Sequence, residues 1–154
     1  MEATIQRAKQ GVRRYLELKG YEILEDGWCH GRDSVDFIAT DEDDALVFID
    51  CEVSENAGEG IPEEAPDRKA FERIAAAYLA EADLSNTEVR YDIVGVLILG
   101  ENRALIRHHI NVSDLFSTYQ PTKAVTKLSL LFLPDKTKQR LALMEEKDGA
   151  RIRI

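Results

Sequence analysis

The stretch from Tyr91 to Leu99, YDIVGVLIL, limits the fold more than any other part of the chain. Apart from Asp92 and Gly95 it is apolar throughout, without the alternation of a strand that has one wet face. A run of this kind reads as a strand covered on both faces, which requires layers above and below a sheet. It follows DRKAFERIAAAYLAEADL, where Phe71, Ile74, Ala75, Tyr78, Leu79 and Ala82 recur at helical spacing. Before that helix stands ALVFIDCEV, a second mostly apolar strand. A helix between two such strands predicts that they lie parallel.

The flanking segments complete the sheet. Ile5, Ala8, Val12, Tyr15 or Leu16, and the stem of Lys19 recur at helical spacing and define an N-terminal helix that Gly20 ends. YEILEDGWC and SVDFIAT read as two strands joined to ALVFIDCEV by short connections, with DEDD as a turn, so these three form an antiparallel meander. SENAGEGIPEEAPD is a loop, and RALIRHHI returns after GEN as an outer strand. The expected order is α-β-β-β-α-β-β, an α/β fold with a central mixed five-stranded sheet flanked by helices. From Asn111 onward the pattern is ambiguous. LSLLFLP suits a strand or a buried helix, and DKTKQRLALMEEKDG favours a helix over a hairpin around Asp-Gly.

The 154 residues allow one domain with a true core. No apolar run is long enough to span a bilayer, and the first residues lack a signal-peptide pattern. Cys29 and Cys51 suit neither a disulfide framework nor zinc and read as buried free thiols, which fits a reducing cytoplasm. The net charge of -9 lowers the odds of non-specific binding to a polyphosphate. The charge is uneven, however: Asp41 to Asp67 holds 11 acids and no base, while basic clusters stand elsewhere.

Strand side chains alternate, so Asp50 and Glu52 share a face, and Asp36 can join them from a paired neighbour. Grouped carboxylates repel one another unless a cation or a raised pKa compensates, and Asp and Glu oxygens suit Mg²⁺ or Mn²⁺. Solvated acids at strand ends are the plainer explanation of the same spacing. Arg7, Arg13 and Arg14 with Arg68, Lys69 and Arg73 form a candidate phosphate-facing patch.

The ordered set YLELKGYEILEDGW, DSVDFIAT, ALVFIDCEV, AAAYL, YDIVGVLI and IRHHINV resembles the small uncharacterised family of predicted endonucleases related to archaeal Holliday-junction resolvases. The resemblance covers roughly Ile5 to Phe116. It implies a restriction-endonuclease-like core over residues 1–116 with a split Asp…(Asp/Glu)-x-Lys signature, and a C-terminal extension over 117–154 packed on or beside it. It also implies metal-dependent cleavage of structured DNA. Position by position, Asp36 stands at the first metal-binding acid and Asp50 at the second. Glu52 stands where the family carries its lysine, and Lys9 stands at a helix-one glutamate. Asp36 and Asp50 are thus the expected metal ligands for Mg²⁺ or Mn²⁺. Asp36, Asp50, Glu52 and Lys9 are the expected catalytic set, and Arg13, Arg14, Arg68 and Lys69 the expected DNA contacts. Replacing lysine by Glu52 removes a donor and inverts a charge. The alternative is therefore a catalytically inactive nucleic-acid-binding or protein-interaction module that keeps the fold. A homodimer or a protein partner would engage through the extension.

Overall fold

The computed structural model describes residues 2–62, 67–82, 84, 87–112 and the strand at 150–152. Its elements are α1 (Glu2–Leu18), β1 (Glu22–His30), β2 (Asp33–Thr40), β3 (Leu46–Ser54), α2 (Arg68–Glu81), β4 (Val89–Gly100), β5 (Arg103–His109) and β6 (Ala150–Ile152). The strands lie side by side in chain order, from β1 to β6. β3 and β4 are parallel, and every other neighbouring pair is antiparallel. The expected order of two helices and five strands is present, with the α2 crossover making the one parallel pair. A sixth strand, drawn from the far end of the chain, pairs with β5. Otherwise the ambiguous C-terminal segments, LSLLFLP and the expected helix after it, lie outside the described residues. Most of the expected extension over 117–154 does too.

Alternation along β3 divides the core. Val47 and Ile49 pack with Ala8, Val12 and Leu16 of α1, while Leu46 and Phe48 pack with Ile74, Ala75 and Tyr78 of α2. The two helices therefore cover opposite faces of the sheet. β4 is buried from Arg90 to Ile98 because both layers cross it, as its mostly apolar run demanded.

Local chemistry sets the boundaries. α1 ends in a Schellman motif: Tyr21 N–H reaches Leu16 O (3.0 Å) and Gly20 N–H reaches Glu17 O (3.1 Å). Gly20 adopts φ +89° there, a conformation that a Cβ would strain. α2 begins at Asp67, whose carboxylate accepts the Ala70 N–H at 3.1 Å. In the acidic turn, Asp41 Oδ1 accepts the N–H groups of Asp43 (2.9 Å) and Ala45 (3.0 Å).

The described part of the acidic loop, 55–62, carries no helix or strand. It packs Ile61 and Pro62 so close to Gly95 that a Cβ there would lie 2.7 Å from Ile61 Cγ2 and 2.8 Å from Pro62 O. The glycine that interrupts the apolar run therefore makes room for this loop. One expectation about cysteine burial fails. Cys51 is half-buried, but Cys29 is exposed, because β1 is the edge strand and little covers its far end. No helix among the described residues is long and apolar enough to cross a membrane.

Candidate carboxylate site

β2 and β3 pair from Thr40↔Leu46 to Phe37↔Ile49. The next residues in each direction are Asp36 and Asp50, and here side chains take over from the ladder. Cys51 N–H donates to Asp36 Oδ2 at 2.7 Å, and the Asp36 backbone N–H bonds the Asp50 carboxylate. Each acid thus satisfies a backbone donor of the opposite strand where the strands part. This is why two carboxylates can stand side by side in apolar strands.

Two further side chains close on the pair. The Lys9 ammonium, from α1, bonds Asp36 Oδ1. The Tyr91 hydroxyl, from β4, donates to Asp50 Oδ2. Tyr91 lies two residues before Ile93, which is in register with Asp50 across the parallel pair, so the two side chains share a face. Burial opposes the charged form of Lys9, but the bond to Asp36 and that residue's charge outweigh it and hold the Lys9 pKa above its usual value. Burial pushes the Asp50 carboxyl above the usual carboxylate range, with the Tyr91 hydrogen bond pulling the other way. Tyr91 itself is pushed upward by burial and by the Asp50 charge, so its hydroxyl stays a donor.

Asp50 and Glu52 line a cavity of about 250 Å³ on the α2 face, together with Arg32, Asp67 and the parallel-stacked rings of Phe71 and Tyr91. Among the residues expected at the site, the fold brings Lys9, Asp36 and Asp50 together and sets Glu52 beside Asp50 on the cavity wall. Among the described residues no group of three or more His, Cys, Asp or Glu side chains is placed to hold a metal ion. A cation here would rest on Asp36 and Asp50 alone. That set still suits Mg²⁺ or Mn²⁺, since these oxygens keep further lone pairs and Mg²⁺ commonly binds through one or two carboxylates plus water.

The basic residues do not converge in the same way. Arg13 and Arg14 lie on α1, and Arg68 and Lys69 on α2, across the sheet from them. Arg13 bonds Asp26 (2.6 Å) and Glu17 (3.2 Å), and Arg68 bonds Glu72 (2.8 Å).

Sequence reading missed Tyr91, and it missed the buried network around Asp92. Arg90 bonds Asp92 through Nε (2.9 Å), Asp41 through Nη1 (2.7 Å) and the Tyr21 hydroxyl through Nη2 (2.7 Å). His108 Nε2 lies 2.9 Å from Asp92 Oδ2, and the Asn111 N–H donates to Asp92 Oδ1 at 2.9 Å. One signal was available: Arg90 and Asp92 stand two apart in a strand buried on both faces, so they share a face and must satisfy each other. This network ties the β2–β3 turn, the end of α1, β4 and β5 together, behind the sheet from the cavity.

The family model of Uncharacterised protein family UPF0102 matches residues 8–96, a span that includes Lys9, Asp36, Asp50, Glu52 and Tyr91. A UPF0102 protein of Chlorobaculum tepidum is 35% identical over 99 residues, covering 62% of this chain and 76% of the relative. One from Beutenbergia cavernae is 35% identical over 98 residues, covering 62% and 82%. One from Rhodococcus opacus is 33% identical over 106 residues, covering 67% and 86%. The chain belongs to Uncharacterised protein family UPF0102.

Proposed function

We propose that this UPF0102 chain is a nuclease-like protein with a restriction-endonuclease-like core, and that Asp36 and Asp50 hold Mg²⁺ or Mn²⁺ for phosphodiester cleavage of structured DNA. The observation that carries the reading is the Lys9 ammonium on Asp36, beside Asp50. In the family pattern described above, the cation stands on the third strand and an acid on helix one. Here Glu52 and Lys9 have the opposite charges, so the exchange keeps both signs at the site and moves the cation onto α1. A divalent ion supplies charge neutralisation and a positioned water at a phosphodiester. This chain's own residues then hold the geometry. Lys9 and the Cys51 N–H fix the Asp36 carboxylate, and Tyr91 and the Asp36 N–H fix Asp50. Two free cysteines agree with a cytoplasmic setting.

A second reading, the inactive module that keeps the fold, draws on the same bonds. All the donors just named satisfy the two acids without any metal ion, so the pair is stable as it stands. Incubating the folded protein with single-stranded, duplex and four-way-junction DNA in Mg²⁺ or Mn²⁺ separates the two. The nuclease reading expects cleavage that EDTA and Asp36→Asn both abolish. Absence of cleavage of all three substrates with either metal refutes it and leaves the module.

A further inference from the structure

We infer that Arg32, at the tip of the β1–β2 hairpin, anchors a backbone phosphate of a single nucleic-acid strand, while His30 beside it stacks on an unpaired base. The inference rests on the reading of Asp36 and Asp50 as a site for phosphodiesters and names the strand contact that serves it.

Its basis is the fate of the cations around the site. Lys9 is held by Asp36, Arg13 by Asp26 and Glu17, Arg68 by Glu72, and Arg90 by Asp41 and Asp92. Arg73 forms a fork on Asp33, with Nε at 2.7 Å and Nη2 at 2.9 Å. Arg32 lines the cavity that holds Asp50 and Glu52 and is exposed; its charge acts on the neighbouring Asp33 through space, without a direct salt bridge to a carboxylate among the described residues. The carboxylate next to it in sequence, Asp33, is already bound by Arg73. The other charged residues lining the cavity are acidic, namely Asp33, Asp50, Glu52 and Asp67, so Arg32 is the lining residue that attracts a phosphate. A guanidinium without a carboxylate partner binds phosphate through paired N–H donors.

The arm behind Arg32 supplies the base contact. His30 pairs with Asp33 across the hairpin, so its ring stands at the same end as Arg32. It lies parallel to the Trp28 indole, with centroids 6.0 Å apart and planes 9° apart, and His30 is exposed. Trp28 is fixed in turn by an edge contact with Tyr78 of α2 at 5.4 Å. An exposed ring braced from behind gives a base a flat surface, and in duplex DNA the bases are already stacked on each other.

The test measures binding apart from cleavage, in EDTA, by fluorescence anisotropy of a labelled single strand of about 20 nucleotides and the matching duplex. Arg32→Ala is expected to weaken single-strand binding about tenfold and to reduce the slope of log affinity against log salt by about 0.7. His30→Ala is expected to weaken single-strand binding about fivefold or more with little effect on the duplex. Lys19→Ala serves as the control, and it changes binding less than about twofold because Lys19 adjoins Gly20 and Glu42 of the β2–β3 turn, at the other end of the sheet from Arg32. Arg32 and His30 are exposed, so circular dichroism and melting of these variants match the parent. Wild-type protein that binds neither probe, or an Arg32→Ala affinity equal to that of Lys19→Ala, overturns the inference. Failure of the nuclease reading shows instead as absence of Mn²⁺-dependent cleavage, with Arg32-dependent binding intact.

Discussion

Replacing Arg90 by methionine keeps a long side chain in place and removes one charge from the most buried polar group among the described residues. Asp92 is 0% exposed, and the Arg90 and Asp41 side chains are 9% and 5% exposed. Removing one partner of a buried ion pair leaves the other charged and desolvated, at a cost of about 3–5 kcal/mol. Asp92 keeps His108 and the Asn111 N–H, and Asp41 keeps two backbone donors, so the lower end applies. At about 3 °C per kcal/mol for a chain of this size, Arg90→Met lowers Tm by about 10 °C. Adding Asp92→Asn to it removes the stranded charge and recovers part of that loss. The assay is thermal unfolding at neutral pH followed by circular dichroism. A Tm within about 3 °C of the parent, or a further fall in the double variant, would refute the reasoning.

The same network sets a pH dependence. Burial works to raise the Asp92 pKa, but His108 and Arg90 outweigh it and hold it below the ordinary carboxylate value. A carboxyl depressed in the folded state contributes stability that is complete above its unfolded pKa of about 3.9 and is lost as pH falls through the folded value. Parent Tm therefore declines below about pH 4 from this source, and the decline is smaller in Arg90→Met, where Asp92 has lost one of the two groups that depress its pKa.

Two further outcomes concern the elements that shape the cavity. Gly95→Ala drives a methyl group into Ile61 and Pro62, so the loop must shift, at about 1–3 kcal/mol. Lower Tm and faster proteolytic cutting within 55–62 are the expected readouts, and an unchanged cutting pattern counts against the close approach. Asp67→Ala removes the α2 cap and costs about 1 kcal/mol, whereas Asp67→Ser restores most of it.

The contrast between Lys9 and the arginines shows where sequence reading reaches its limit. Alternation placed Asp50 and Glu52 on one face, and the apolar strands on both sides of an amphipathic helix gave the parallel β3–β4 pair, because the periods of 2 and 3.6 are local properties of the backbone. The same locality identified Gly20 as a helix end, since a cap needs only its own neighbours.

Contacts across elements are different, because they depend on how layers stack and strands splay. Lys9 is 27 positions from Asp36, and only the seating of α1 over β2 and β3 brings its ammonium onto that carboxylate. Tyr91 had no mark in sequence as a partner for Asp50, since its role follows from the register of β4 against β3. Arg13 and Arg68 read as one basic patch until the sheet came between them and nearby acids took up their charges. Sequence by itself determined which residues carry charge into the strands. The tertiary structure decided which charges meet, because electrostatic and hydrogen-bonding energies are set by distances that no spacing along the chain specifies.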